Sequence, residues 1–266
     1  MSSTSTPSQS FQIISSLRYD PTLPAVATPK APGNGSGPFS TPYYLLPYHR
    51  DRLINAASRF RWEKALQFLA QDLSHLVQVF DTFIPDRTKP WRLRIVVDCN
   101  GTCNVEANPT SQIEPLNFLP FQTPPQSSIW RVYVDSQRLV PSAFTTHKTT
   151  AREDYNAARG RAGILSPQAL EEVLVVNPDG QIMEGSITTP YFRRRHPSNQ
   201  GSDGDPEWIT PPLSSGGNAG TTRRYALDQG CCAEQVISAA ELVDGEECWL
   251  SNGVRGFMRG VVVLQQ

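Results

Sequence analysis

The chain of 266 residues has a formal net charge of −1, with 38% hydrophobic and 18% charged residues. That length suits one or two domains with a buried core, and so balanced a charge offers no field for nucleic acid or an anionic membrane. No apolar run nears the ~18 residues that span a bilayer, and the opening MSSTSTPSQS lacks the apolar segment of a secretory signal, so it reads as the frayed end of a cytoplasmic protein.

In chain order, residues 11–20 (FQIISSLRYD) predict a strand, followed by a flexible Pro-, Gly-, Ser- and Thr-rich connection over 21–42. Residues 43–46 suggest a short strand. From His49 the period changes: Leu53, Ala56 and Phe60 fall on one helical face, and residues 63–83 continue as a second, stronger helix. Residues 92–98 alternate charged and apolar, Asn100-Gly101 signals a hairpin, and 102–107 return. The Pro- and Gln-rich stretch 108–128 is the place for a boundary between a small domain (9–126) and a larger one (129–266).

In the second half, residues 130–134 predict a strand and 151–161 a helix. Residues 172–177 form a buried strand, Pro178-Asp179-Gly180 a turn, and 181–185 the returning strand. Tyr191 and Phe192 lie on a further strand, and 196–206 form an exposed loop after the basic run Arg193–Arg195. A short strand at 208–210 precedes a loop and a helix at 221–230, with Gly230 at its C-terminal cap. Strands at 236–237, 247–250 and 257–264 end the chain, the last closing the sheet. The architecture is α+β: a small sandwich, then a larger barrel-like β domain with helices outside.

Cys99, Cys103, Cys231, Cys232 and Cys248 are odd in number and repeat no metal-ligand spacing, so they predict free thiols and no metal site. Amines are scarce. Of 24 basic residues only Lys30, Lys64, Lys89 and Lys148 are lysines.

Lys148 lies in the hydroxyl-rich segment THKTTAR, and Glu184 follows in EEVLVVNPDGQIMEGSITTPYF. His49 and Arg52 open the first helix one turn apart. Gly220, Thr221 and Thr222 stand at the mouth of another, where backbone N–H groups are free to hold a phosphate. Ser251 and Gly253 occupy a small-residue turn after a strand. Tyr155 reads as core packing. A lysine, a distant carboxylate and phosphate donors are the parts that a pyridoxal-phosphate site needs.

These elements, H-x-x-R-L, the lysine, E-G-S, T-P-P-L…G-T-T-R and the late S-N-G turn, occur in the order found in the class IV (fold-type IV) aminotransferases, and the chain resembles that family from residue 49 to about 256. SLRYD resembles the family's first active-site strand. The resemblance implies a two-domain fold like that of D-amino-acid aminotransferases, a pyridoxal 5'-phosphate cofactor between the domains, and a homodimer. It implies that Lys148 holds the cofactor and shuttles the proton, that Glu184 pairs with the pyridine nitrogen, and that Arg52, Thr221, Thr222, Ser251 and Gly253 hold the phosphate. The chain departs from the family at Thr189 and Pro190, where Asn and an aliphatic residue are usual, at Glu153, where a Tyr often contacts the cofactor, and at Gly253, where relatives have Thr or Ser.

Arg152 four residues after Lys148, the SNGVRG turn with Arg255, and the compact N-terminus resemble the aminodeoxychorismate-lyase branch. That branch implies release of 4-aminobenzoate and pyruvate. Ser16, or its neighbour Ser15, would supply a hydroxyl near the leaving group. Arg18, Arg152 and Arg255 would face a small-molecule carboxylate substrate, since guanidinium forks match carboxylates. The alternatives are a class IV transaminase acting on D-amino acids, branched-chain amino acids or amines, and a member that binds without turnover.

Overall fold

Residues 11–25, 41–122, 128–166, 168–194 and 207–264 are described in the computed structural model. Strands β1 (Ile13–Tyr19), β2 (Trp91–Val97) and β3 (Cys103–Pro109) form an antiparallel sheet in that order. Ile13 pairs with Val97 and Val97 with Cys103. Alternation along β1 and β2 gives the sheet two faces. Ile13, Leu17, Leu93, Ile95 and Val97 share a core with Leu53, Ala56, Leu76 and Phe80. Those partners lie on α1 (Leu46–Arg59) and α3 (Leu73–Asp81), with α2 (Glu63–Leu69) between. Ser16, Arg18 and Arg92 lie on the opposite face.

The expected strand at 43–46 reduces to a single bridge between Tyr19 and Tyr43. Leu45 turns through the left-handed region at φ 53° and α1 begins at Leu46, three residues before the expected start, because Pro47 fits a first helical turn whose N–H groups need no partner. The single helix expected over 63–83 is two. Arg50 donates from Nε to the Leu69 carbonyl (2.9 Å) and from Nη2 to that of Ala70 (3.1 Å), satisfying the end of α2, and the extended backbone of Asp72 starts α3 afresh.

The larger sheet contains β4 (Trp130–Arg138), β5 (Glu171–Val176), β6 (Ile182–Gly185), β7 (Thr189–Arg193), β8 (Trp208–Thr210), β9 (Cys232–Glu234), β10 (Glu247–Asn252) and β11 (Gly256–Val262). Its order is β6-β5-β4-β11-β10-β7-β8-β9. The last strand therefore sits inside the sheet, parallel to β4 and antiparallel to β10, rather than closing an edge. Residues 236–237 form no strand. Ile237 instead packs in the core under this sheet, its carbonyl accepting from the Ile182 N–H (2.8 Å). The short helix α4 (Ala143–Thr146) precedes Lys148, and α5 (Glu153–Arg161) crosses between the parallel strands β4 and β5. Tyr155 and Ala158 of α5 pack on Tyr133, Val173 and Met183. The helix α6 (Thr221–Asp228) ends before Gly230, whose φ of 66° is the left-handed turn expected there. The loop expected at 196–206 lies outside the described residues. Among the described residues no helix is long and apolar enough to cross a membrane.

Backbone hydrogen bonds stitch the two sheets together around β1. Ile14 N–H donates to the Lys148 carbonyl (3.0 Å), Thr150 N–H to that of Gln12 (2.8 Å), and Arg18 N–H to that of Gly253 (2.9 Å).

Candidate active site

A cavity of about 940 Å³ opens between the two sheets. Of the residues anticipated for the site, Ser16, Arg18, Arg52, Lys148, Arg152, Glu184, Thr221, Thr222, Ser251, Gly253 and Arg255 line it, while Ser15 and His49 do not. Lys148 follows α4, whose start is fixed by a reciprocal Ser142–Thr145 capping box. Its ammonium pKa lies well below the usual lysine value, first through burial and then through the nearby charges of Arg152 and Arg52, against the attraction of Glu184.

Glu184 ends β6 and is buried. Its Oε1 accepts from the Tyr155 hydroxyl (2.5 Å) and its Oε2 from Asn218 Nδ2 (2.5 Å). Burial raises the carboxyl pKa to about 7, and the Tyr155 hydroxyl, Lys148 and Arg152 pull it back down. Tyr155 is thus more than core packing, and Asn218 had no motif to announce it. Its loop comes so close to β6 that a Cβ on Gly217 would stand 2.5 Å from the Met183 carbonyl.

At the other end, Arg52 and His49 share Ser15. Arg52 Nη2 donates to Ser15 Oγ (2.5 Å), and His49 Nδ1 lies 2.7 Å from the same oxygen. The His49 pKa is driven well below the ordinary imidazole value by burial and then by Arg52, so the ring stays neutral. Its Nε2 reaches Thr221 Oγ1 at 3.4 Å. Ser15 is therefore committed behind the wall, while Ser16, one residue on, faces the cavity. Thr222 Oγ1 and the Tyr191 hydroxyl both meet Ser251 Oγ, at 2.7 and 2.8 Å. The amides of Thr221 and Thr222 precede the first bond of α6, which runs from Arg224 N–H to the Gly220 carbonyl. Gly253 has no room for a larger residue: a Cβ would lie 2.6 Å from the His49 ring and 2.8 Å from the Ser16 carbonyl. That contact accounts for glycine where relatives have a hydroxyl.

The donor set fits a phosphorylated pyridine. Arg52 Nε is buried and has no hydrogen-bond partner, and it stands beside the start of α6, where an anion is favoured. Glu184 supplies the single carboxylate of the cavity lining among the described residues.

Two further residues escaped the sequence reading. Arg92 lines the cavity from β2. Glu172 on β5 is fully buried and accepts five hydrogen bonds. Its Oε1 takes Val173 N–H (2.8 Å), Ser186 N–H (3.0 Å) and Ser186 O–H (2.5 Å). Its Oε2 takes Ile187 N–H (3.1 Å) and Thr188 O–H (2.7 Å). The turn after Glu184 is built on this carboxylate. Gly185 lets it approach, since a Cβ there would come 2.9 Å from Glu172 Cδ. Arg152 donates to the Ser186 carbonyl (2.5 Å) and stacks on Tyr155, tying the same turn to α5.

A sequence model of the family described as amino-transferase class IV matches residues 40–262. The chain is similar to an aminodeoxychorismate lyase of Saccharomyces cerevisiae, 37% identical over 143 residues, which is 50% of this chain and only 37% of that protein. It is also similar to a candidate aminodeoxychorismate lyase of Schizosaccharomyces pombe, 28% identical over 84% of this chain and 85% of that one. Among solved structures, a candidate amino-acid aminotransferase of Mesorhizobium loti superposes with a TM-score of 0.67 at 23% identity, covering 95% of this chain and all of that one. The 4-amino-4-deoxychorismate lyase of Pseudomonas aeruginosa superposes at 0.57 with 18% identity, over 96% and 83%. These structural likenesses establish the fold.

Replacing Glu172 by Gln sets an amide NH2 against a turn made of donors. The expected cost is about 2–4 kcal/mol of unfolding free energy, the scale for leaving buried polar groups unpaired; urea denaturation measures it. Glu184 gives a pH signature in the cofactor-free protein. Its folded pKa is raised above the unfolded value, so the folded state binds the extra proton. Its contribution to stability is present below about 4.5 and lost as pH rises through about 7. Urea midpoints of wild type should therefore fall relative to Glu184→Gln between pH 5 and pH 7.5. Parallel profiles would show that Glu184 keeps an ordinary pKa.

Proposed function

The chain belongs to the class IV aminotransferase family, and on that premise we propose that it is a pyridoxal-phosphate-dependent lyase that converts 4-amino-4-deoxychorismate to 4-aminobenzoate and pyruvate, a step toward folate. The observation that carries this reading is one cavity holding Lys148 with its depressed pKa, the buried Glu184 and the hydroxyl of Ser16. The relatives in the two yeasts support the choice of reaction.

Arg52, the amides of Thr221 and Thr222, and the Ser251–Gly253 turn would hold the cofactor's phosphate, with Glu184 against its pyridine nitrogen. A protonated ring nitrogen beside a carboxylate brings the pair the charge that burial denies Glu184 alone. When bound, the cofactor supplies an electron sink for bonds broken at the substrate's amine-bearing carbon. Lys148 Nζ, unprotonated because its pKa is depressed, takes the proton from that carbon. Ser16, which lines the cavity, would give a proton to the departing enolpyruvate from its hydroxyl. Arg152 and Arg255 frame the same space, Arg255 over the Trp130 ring at 5.0 Å. Arg18, bonded from Nε to Asp20 (2.8 Å) and from Nη2 to the Ser111 carbonyl (2.8 Å), keeps Nη1 buried and unpartnered for a substrate carboxylate. The reading includes the division into domains at 9–126 and 129–266, a homodimer and a cytoplasmic location.

The decisive assay is pyruvate release from 4-amino-4-deoxychorismate by the cofactor-loaded protein with no keto acid added. Release only after a keto acid is supplied would mark a transaminase instead. Lys148→Ala should lose both the yellow colour that borohydride bleaches and the turnover. Ser16→Ala should keep the colour and slow turnover about 100-fold, the scale of a lost proton donor.

A further inference from the structure

Six cationic side chains and one carboxylate line the cavity among the described residues. Most of the cations have an assignment. Arg52 and Lys148 belong to the cofactor in the reading above, Arg152 is spent on Ser186 and Tyr155, and Arg18 pairs with Asp20. Arg92 has none: its side chain makes no hydrogen bond or ion pair with any described residue. Glu106, the carboxylate whose charge acts on it, is held by Arg94 at 2.6 Å.

Arg92 is placed to meet a ligand. It stands directly opposite Arg18 in the β1–β2 register, on the face that looks into the cavity. Arg255 enters from the turn between β10 and β11 of the other sheet. Burial and then the charge of Arg92 lower its pKa, so the two guanidiniums act on each other through the cavity. The charge of Arg92 also reaches Lys148. Three arginines from two sheets thus line one space whose single lining carboxylate among the described residues is Glu184, and guanidinium groups bind carboxylates strongly.

We infer that Arg92 and Arg255 form a carboxylate subsite beside Arg18, and that Arg92 makes the cavity select ligands with two carboxylates over ligands with one. This deepens the proposed function, on which it rests for the reaction but not for the anion. Arg92 is a specificity-determining residue with no part in proton transfer. Because it is exposed on its strand, Arg92→Gln leaves the core untouched.

The test is calorimetric titration of the pyridoxal-phosphate-loaded wild type and Arg92→Gln with isophthalate and with benzoate. Isophthalate should bind wild type and lose about 10-fold or more in affinity in the variant, the scale of one charge-assisted hydrogen bond. Benzoate should change by less than about 3-fold, since Arg18 and Arg255 remain for a single carboxylate. Isophthalate binding to both proteins alike, or to neither, overturns the subsite. A loss confined to Arg92→Gln in a protein that releases no pyruvate would uphold the subsite and sink the reaction assigned above. With 4-amino-4-deoxychorismate, the variant should raise KM while kcat stays nearly constant; an equal fall in kcat would instead place Arg92 in the chemistry.

Discussion

A buried carboxylate is costly unless donors surround it, and this protein contains two within one sheet edge. Glu172 meets that cost with five donors, four of them from the turn that follows Glu184. Glu184 meets it only in part, with Tyr155 and Asn218, and its raised pKa records the deficit. The first carboxylate thereby makes the second useful. A fixed turn leaves Glu184 no freedom to swing toward water, so its unmet demand is directed into the cavity.

The opposite wall is organised by a different constraint, the strict alternation of a strand. Ser15 and Ser16 are chemically identical neighbours with divergent fates. One faces α1 and joins Arg52 to His49; the other faces the cavity. The same alternation sets Arg18 and Arg92 on the cavity side while Leu17 and Leu93 fill the core beneath. A strand thus carries fold on one face and chemistry on the other, and a slip of one residue would exchange them.

Much of this was legible in the sequence because it depends on local pattern. Periodicity located α1, alternation located β2, and the order of short motifs located Lys148, Glu184, Arg52 and the mouth of α6. The losses are of two kinds. Where a long-range contact overrides local preference, the sequence misleads: Arg50 capping α2 from nineteen residues away split one expected helix into two. Where function rests on a single residue outside any motif, the sequence is silent. Asn218, Arg92 and Glu172 look like an ordinary loop amide, strand arginine and strand-end glutamate until the fold sets the first two on the cavity wall and the third beneath the turn after Glu184. Tyr155 shows the middle case. It does pack in the core, as expected, and its hydroxyl donates to Glu184 as well.

The backbone bonds that tie β1 to the Lys148 segment couple the position of that segment to the N-terminal strand. Residues near the start of the chain, Gln12 and Ile14, hold the strand of backbone that carries Lys148. The larger sheet has its own core and does not draw on β1 for it. A chain lacking its first twenty residues would therefore retain a well-packed sheet with an unanchored lysine. The N-terminal strand works as a latch, its backbone bonds holding in place the segment that carries Lys148.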